Sequence, residues 1–193
     1  MFYIYGLGGL LPEAQKALLY TVDACGDSIC KIGEDDLEKT VEECLNSKEV
    51  IAISSFKPEA NKEKAPFLLM DIDDLEIDLF LSEMRKNKVR IPHKCMVTKK
   101  NKTWKLKKLI SDVQEEHQIM TRIIKLQQLI TSTESLKEEE YDAIFWLSFI
   151  EMRNRAQDLI KHVGKVEIAV DVVQAVITQF QEALSMLEAN KKA

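Results

Sequence analysis

Ile91-Pro-His-Lys-Cys-Met-Val-Thr98-Lys-Lys-Asn-Lys-Thr-Trp104-Lys-Leu-Lys-Lys-Leu-Ile110 decides the reading of this 193-residue chain. Lys94 to Thr98 has the apolar, β-branched character of a short strand. Lys99 to Lys102 is a basic turn. From about Thr103, apolar residues at Leu106, Ile110, Val113, His117, Met120 and Ile124 recur every three or four positions, which predicts a helix to about Ile130. Upstream of this stretch strands and helices alternate; downstream the pattern is helical throughout.

Working back, Pro66-Phe-Leu-Leu-Met-Asp71 is apolar on both faces, as a central parallel strand is. Asp73 with Glu76 opens a helix that carries Leu75, Leu79, Phe80 and Met84 to about Lys86. Further back, Phe2 to Tyr5 reads as a first strand and Gly6-Leu-Gly-Gly9 as a turn. A helix follows from Pro12 to Ala24, with Gly26 as its stop. Ser28 to Ile32 is a second strand, and Asp35 paired with Glu38 opens a helix through Leu45. Residues 46–65 form an irregular excursion with a polar connector from Lys57 to Lys64. Strands alternating with helices predict an α/β domain over residues 1–120. Its four-stranded sheet is expected to be parallel and flavodoxin-like, in the order 2-1-3-4.

Working forward, residues 121–193 read as a helical extension of long antiparallel helices. Ser135 to Glu138 has capping-box spacing. Phe145, Phe149, Met152, Ala156, Leu159 and Val163 then make a heptad seam that Gly164 ends. Val166, Ala169, Val173, Val176, Phe180, Ala183 and Leu187 make a second. Of the 22 residues from Val166 to Leu187, 14 are apolar, more than one neighbouring helix covers. The extension is therefore expected to form a homodimer or to hold a protein partner, through a surface of Phe145, Trp146, Phe149, Val173, Val176, Phe180 and Leu184.

The charge of −5 and pI near 5.4 argue against general nucleic-acid binding. No apolar run reaches membrane-spanning length. Met1-Phe-Tyr-Ile-Tyr-Gly6 lacks the basic stretch of a secretion signal. Four cysteines without metal-site or C-x-x-C spacing read as reduced thiols in a cytoplasmic protein.

Charge is segregated along the chain. Arg85 to Lys108 holds 11 basic residues and no acidic one, whereas the remainder holds 16 basic and 32 acidic. Lys105, Lys107 and Lys108 crowd a first helical turn, where cations are unfavourable without a compensating acid or anion. Asp71, Asp73, Asp74 and Glu76 are the expected acids. An alternative is an anion- or nucleotide-responsive site at Thr98, Lys99, Lys100, Asn101 and Lys102.

Other constellations fall short. Gly6-Leu-Gly-Gly9 lacks the spacing of a phosphate loop and reads as a turn passing close to a neighbour. Asp71, Thr98 and Lys99 lack the further acids of a phospho-acceptor site. His93, His117 and His162 share no metal-ligand spacing. Cys95 beside His93 lacks an orienting third group. Trp104 reads as an anchor of the fourth helix. The expectation is a non-enzymatic protein without metal or cofactor.

Asp35-Asp36-Leu37 with Thr40-Val41, Phe67 to Met70, Leu75 to Met84, Met96-Val-Thr98, Asn101, Trp104, Leu109 and Glu116-His117 together resemble an uncharacterised bacterial family of small α/β domains. That family is known only as a domain of unknown function. Thr98-x-x-Asn101-x-x-Trp104 and the Glu-His pair are its best markers, and the likeness covers roughly residues 2–120. It departs at Lys99, Lys100 and Lys102, where the family is often non-basic. The resemblance implies a fold and no activity.

Overall fold

The computed structural model describes residues 1–46, 49–58 and 64–192, so parts of the expected 46–65 excursion lie outside the described residues. The chain divides into two compact units, Met1–Gln114 and Glu115–Ala193.

The first unit is a four-stranded sheet of β1 (Phe2–Tyr5), β2 (Ile29–Lys31), β3 (Phe67–Met70) and β4 (His93–Met96), in the order β2-β1-β3-β4. The strand order agrees with expectation; the directions do not. β1 pairs with β2, and β3 with β4, in parallel, but β1 and β3 run antiparallel, Phe2 opposite Met70 and Tyr5 opposite Phe67. The sheet is mixed, which overturns the all-parallel expectation. An unbroken apolar run reports burial on both faces and carries no information about direction, and β3 is buried on both.

Helices α1 (Pro12–Ala24) and α3 (Asp74–Lys86) cover one face, where Phe2, Ile4, Leu68 and Met70 meet Leu18, Val22, Phe80 and Met84. On the other face Tyr3, Cys30, Phe67 and Leu69 meet Val41 and Cys44 of α2 (Val41–Leu45). Leu106, Leu109 and Ile110 of α4 (Leu106–Ser132) complete that layer. Leu75 and Leu79, expected to face inward, are 92% and 54% exposed; the inner stripe of α3 runs instead through Ile77, Phe80, Leu81 and Met84. α2 is shorter than expected. Thr40 rather than Asp35 caps it, its hydroxyl accepting from the Glu43 N–H while the Glu43 carboxylate accepts the Thr40 N–H at 2.7 Å.

The unit is built from one β-α-β-turn-α pattern used twice. α1 and α3 end alike: Gly26 and Lys88 take positive φ, and the next residues, Asp27 and Val89, donate N–H to the carbonyls of Val22 and Met84 at 3.2 and 2.9 Å. After β2 the Asp36 carboxylate accepts the Gly33 N–H at 2.8 Å; after β4 the Asn101 carbonyl accepts the Thr98 N–H at 2.7 Å. The turns beyond them bond reciprocally. Val41 N–H donates to Trp104 O and Leu106 N–H to Lys39 O, both at 2.9 Å. Equivalent residues 65 positions apart thus pair about a local two-fold relation.

The second unit packs part of α4 with α5 (Ala143–His162) and α6 (Val170–Ala189). Tyr141 bridges Lys191, which sets the start of α5 beside the end of α6 and makes the two antiparallel. Both helices begin later than expected. Asp142, not Ser135, caps α5, its carboxylate accepting from the Ile144 N–H at 2.9 Å. Val166 lies outside α6 and is 56% exposed. The inner stripe of α4 also changes: Leu106, Leu109 and Ile110 serve the first unit and Ile123, Leu126 and Ile130 the second. Met120 and Ile124 are 41% and 50% exposed, which corrects the single seam through His117, Met120 and Ile124. No helix among the described residues is long and apolar enough to cross a membrane.

Candidate functional site

The turn after β4 is held by Asn101, which is 6% exposed. Besides accepting from Thr98, its amide donates to Met96 O at 2.8 Å, and Asn101 N–H donates to the Thr98 hydroxyl at 3.1 Å. Lys102 N–H donates to Thr98 O, and Trp104 N–H to Asn101 O. The backbone N–H groups of Thr98, Asn101, Lys102 and Trp104 are therefore committed within the turn. Thr98, Lys99 and Lys100 are exposed, and Lys102 is half-buried. Half-buried Trp104 packs against the α2/α4 layer, with the Lys108 and Lys100 ammonium groups 4.4 and 5.8 Å from its ring centre.

Lys108 is compensated by Asp112 at 2.6 Å, and the acid that compensates Lys105 and Lys107 is Glu38, not the expected acids after β3. Its carboxylate lies 3.0 Å from Lys105 Nζ and 3.6 Å from Lys107 Nζ. The Lys105 hydrogen bond foremost, then the charges of both lysines, hold the Glu38 carboxyl below its usual range. The repeat explains why Glu38 is at hand: its turn bonds to the lysine-rich turn. Four acids of the first copy, Glu34, Asp35, Glu42 and Glu43, have Lys99, Lys100, Lys107 and Lys108 as their equivalents 65 positions on. At these turns and the helix starts that follow them, the segregation of charge is one repeat set against the other.

The glycine turn is what its sequence predicted, a close approach of backbones. A Cβ on Gly9 would fall inside contact distance of the Lys64 carbonyl, and one on Gly6 would lie 2.9 Å from the Ala65 carbonyl. A pocket of about 210 Å³ beside it is lined by Tyr5, Gly6, Lys31, Glu34 and Lys64 among others. Tyr5 Oη donates to Glu34 at 3.0 Å, and Lys64 pairs with the same carboxylate. The Glu34 carboxylate already occupies the Lys64 ammonium group there. Burial pushes the Cys44 thiol up to about 11 and raises that of Cys25, the opposite of an activated nucleophile.

In the second unit, Phe149, Val173 and Phe180 are fully buried, Val176 is 3% and Trp146 9% exposed, and Phe145 and Leu184 are half-buried. All belong to one core. Tyr141, Trp146, Phe149 and Phe180 form a chain of rings with centres 5.7 to 5.9 Å apart. The expected interaction surface is thus the packing between the helices, because a heptad seam on each of two antiparallel helices is satisfied by the other. The outward apolar residues are different ones: Ile144 and Leu147 on α5, 76% and 67% exposed, and Val172 and Met186 on α6, 47% and 59%. Ile144 lies one position before the seam residue Phe145, and Leu147 lies midway between the seam residues Phe145 and Phe149, which was readable in the sequence.

No curated protein and no solved structure matches the chain. Residues 66–120 match a family described as a domain of unknown function (DUF3783), a stretch that begins one residue before β3 and takes in the second copy of the repeat.

Proposed function

We propose that this is a non-enzymatic binding protein of a reducing, cytoplasmic setting that self-associates through its C-terminal helices. The observation that carries the reading is the pair Ile144 and Leu147, three residues apart on one face of α5 and both more than two-thirds exposed, while the seam between the helices is already filled. Large apolar groups grouped on an outer face mark an interaction site. The polar groups at the strand ends support a binding rather than a chemical role, since Asp36, Thr98 and Asn101 are spent on holding their own turns and Glu34 on Tyr5 and Lys64.

Light scattering behind size exclusion tests it. The chain should run as a dimer, and I144D/L147D should run as a monomer with unchanged helical circular dichroism. A monomer at high concentration for the parent chain overturns the reading. A phosphate- or nucleotide-responsive site at Thr98 to Lys102 stands second, supported by the exposed ammonium groups of Lys99 and Lys100. It requires that replacing Lys99, Lys100 and Lys102 by Ala remove phosphate-induced shifts in the turn.

A further inference from the structure

The two copies of the repeat treat their outer edges differently. In the first, Glu49 to Ile51 adds to the free side of β2: Val50 bridges Cys30 antiparallel, Lys31 N–H donates to Glu49 O at 3.0 Å and Ile51 N–H to Ile29 O at 2.9 Å. Ile51 and Ile53 pack against the α1/α3 core. Together with Leu19, Val22, Asp23, Asp27 and Ser28, residues 50–54 line a groove there of about 310 Å³.

The second copy has the same groove. Leu81, Met84, Arg85, Val89 and Arg90 lie 62 positions after Leu19, Val22, Asp23, Asp27 and Ser28, and with Lys94 they line a cavity of about 620 Å³. Among the described residues no segment fills it: β4 ends the sheet, and no further strand segment is paired with its outer side. Two features differ from the first copy. The volume is about twice as large, and the walls carry Arg85, Arg90 and Lys94 where the first groove has Asp23 and Asp27.

We propose that the outer edge of β4 and this groove form a docking site for an extended acidic and aliphatic peptide segment of a partner protein. The peptide adds antiparallel to Lys94 and Met96, as Glu49 to Ile51 adds to Ile29 and Lys31. Backbone bonds to the edge hold it, alternate aliphatic side chains enter the groove, and carboxylates on its flanks meet the basic rim. The site lies wholly within residues 1–114 and stands apart from the proposal for the C-terminal helices. The glutamate and the Val-Ile-Ala-Ile run of residues 49–53 are the internal template for the ligand, and the reversed charge of the walls sets the sign of its flanks.

The probe is a fluorescein-labelled octapeptide, Asp-Glu-Val-Ile-Ala-Ile-Asp-Glu, titrated into the full chain and followed by anisotropy. Saturable binding is expected, about tenfold weaker for R85E/R90E and lost for the same peptide N-methylated at alternate residues. Amide exchange at Met96 should slow on binding. The inference is overturned by no saturation, by equal binding of a lysine-flanked peptide, or by equal binding of the N-methylated one. Concentration-dependent protection of Met96 without peptide would also overturn it, since a second copy of the chain would then occupy the edge. The two peptide controls use the parent protein, so they decide even where R85E/R90E is poorly folded.

Discussion

Asn101 and Asp36 hold equivalent turns with different chemistry, and the difference is testable at single residues. Asn101→Ala removes the acceptor of the Thr98 N–H and the amide donor to Met96 O, a carbonyl that the Cys95 thiol also reaches, and should cost about 1 to 3 kcal/mol in urea unfolding. Asn101→Asp keeps an acceptor for Thr98 but no donor for Met96 O, and should cost less. For Asp36, burial pushes the carboxyl upward, but the Lys39 hydrogen bond and the Gly33 N–H outweigh it and hold it below the ordinary 3.8. A folded-state value below the unfolded one means that the unfolded chain binds the proton first. The stabilisation is therefore complete above the unfolded value and fades as pH falls through the folded one. Melting temperature should drop as pH falls below about 4, and Asp36→Asn should flatten that drop. The role of Thr98 and Asn101 as a pair was legible in the sequence as a marker. What the sequence hid was the polarity of the site, because a buried asparagine and one that lines a ligand pocket look alike without the bonds of Met96 and Thr98.

At the scale of elements, helix existence and strand order were readable and strand direction was not. Phe67 to Met70 looks the same whichever way it runs, and the connection that sets its direction passes through residues 46–65, whose sequence carries no clear helical or strand period. The repeat was hidden for a related reason. Over the stretch 65 positions apart from Ile29 to Leu45, only Cys30 and Cys95 are identical, and several acids are replaced by lysines. Burial and capping were kept while surface charge was reversed, so alternation of apolar and polar positions survived and identity did not. The repeat yields its own prediction. Gly26 and Lys88 close α1 and α3 in the left-handed region, at φ 74° and 56°, where a side chain costs about 1 kcal/mol. Lys88→Gly should therefore raise stability by about 1 kcal/mol in urea unfolding. Gly26→Lys should lower it by a similar amount, with nothing but conformation at issue, since a Cβ at Gly26 meets no atom within 4 Å.

At the scale of the first unit, the antiparallel contact of β1 with β3 is what makes one core out of two copies. Phe2 and Phe80 touch across the repeat, ring centres 4.3 Å apart, and Ile4 lies opposite Leu68 at the centre of the sheet with both side chains fully buried. Each copy alone would expose the inner edge of its strand pair and one side of both helical layers. A single β-α-β-α stretch of this size is short of the burial that an independent core needs. The turns reinforce the arrangement by setting Glu38 of one copy against Lys105 and Lys107 of the other, whereas two basic copies would repel. Leu68→Ala should cost about 2 to 5 kcal/mol. Because its cavity opens onto both copies, amide exchange in α1 around Leu18 to Val22 should accelerate as much as in α3 around Phe80 to Met84. Acceleration confined to α3 would mean that the copies unfold separately, and the second copy could then stand as a domain by itself.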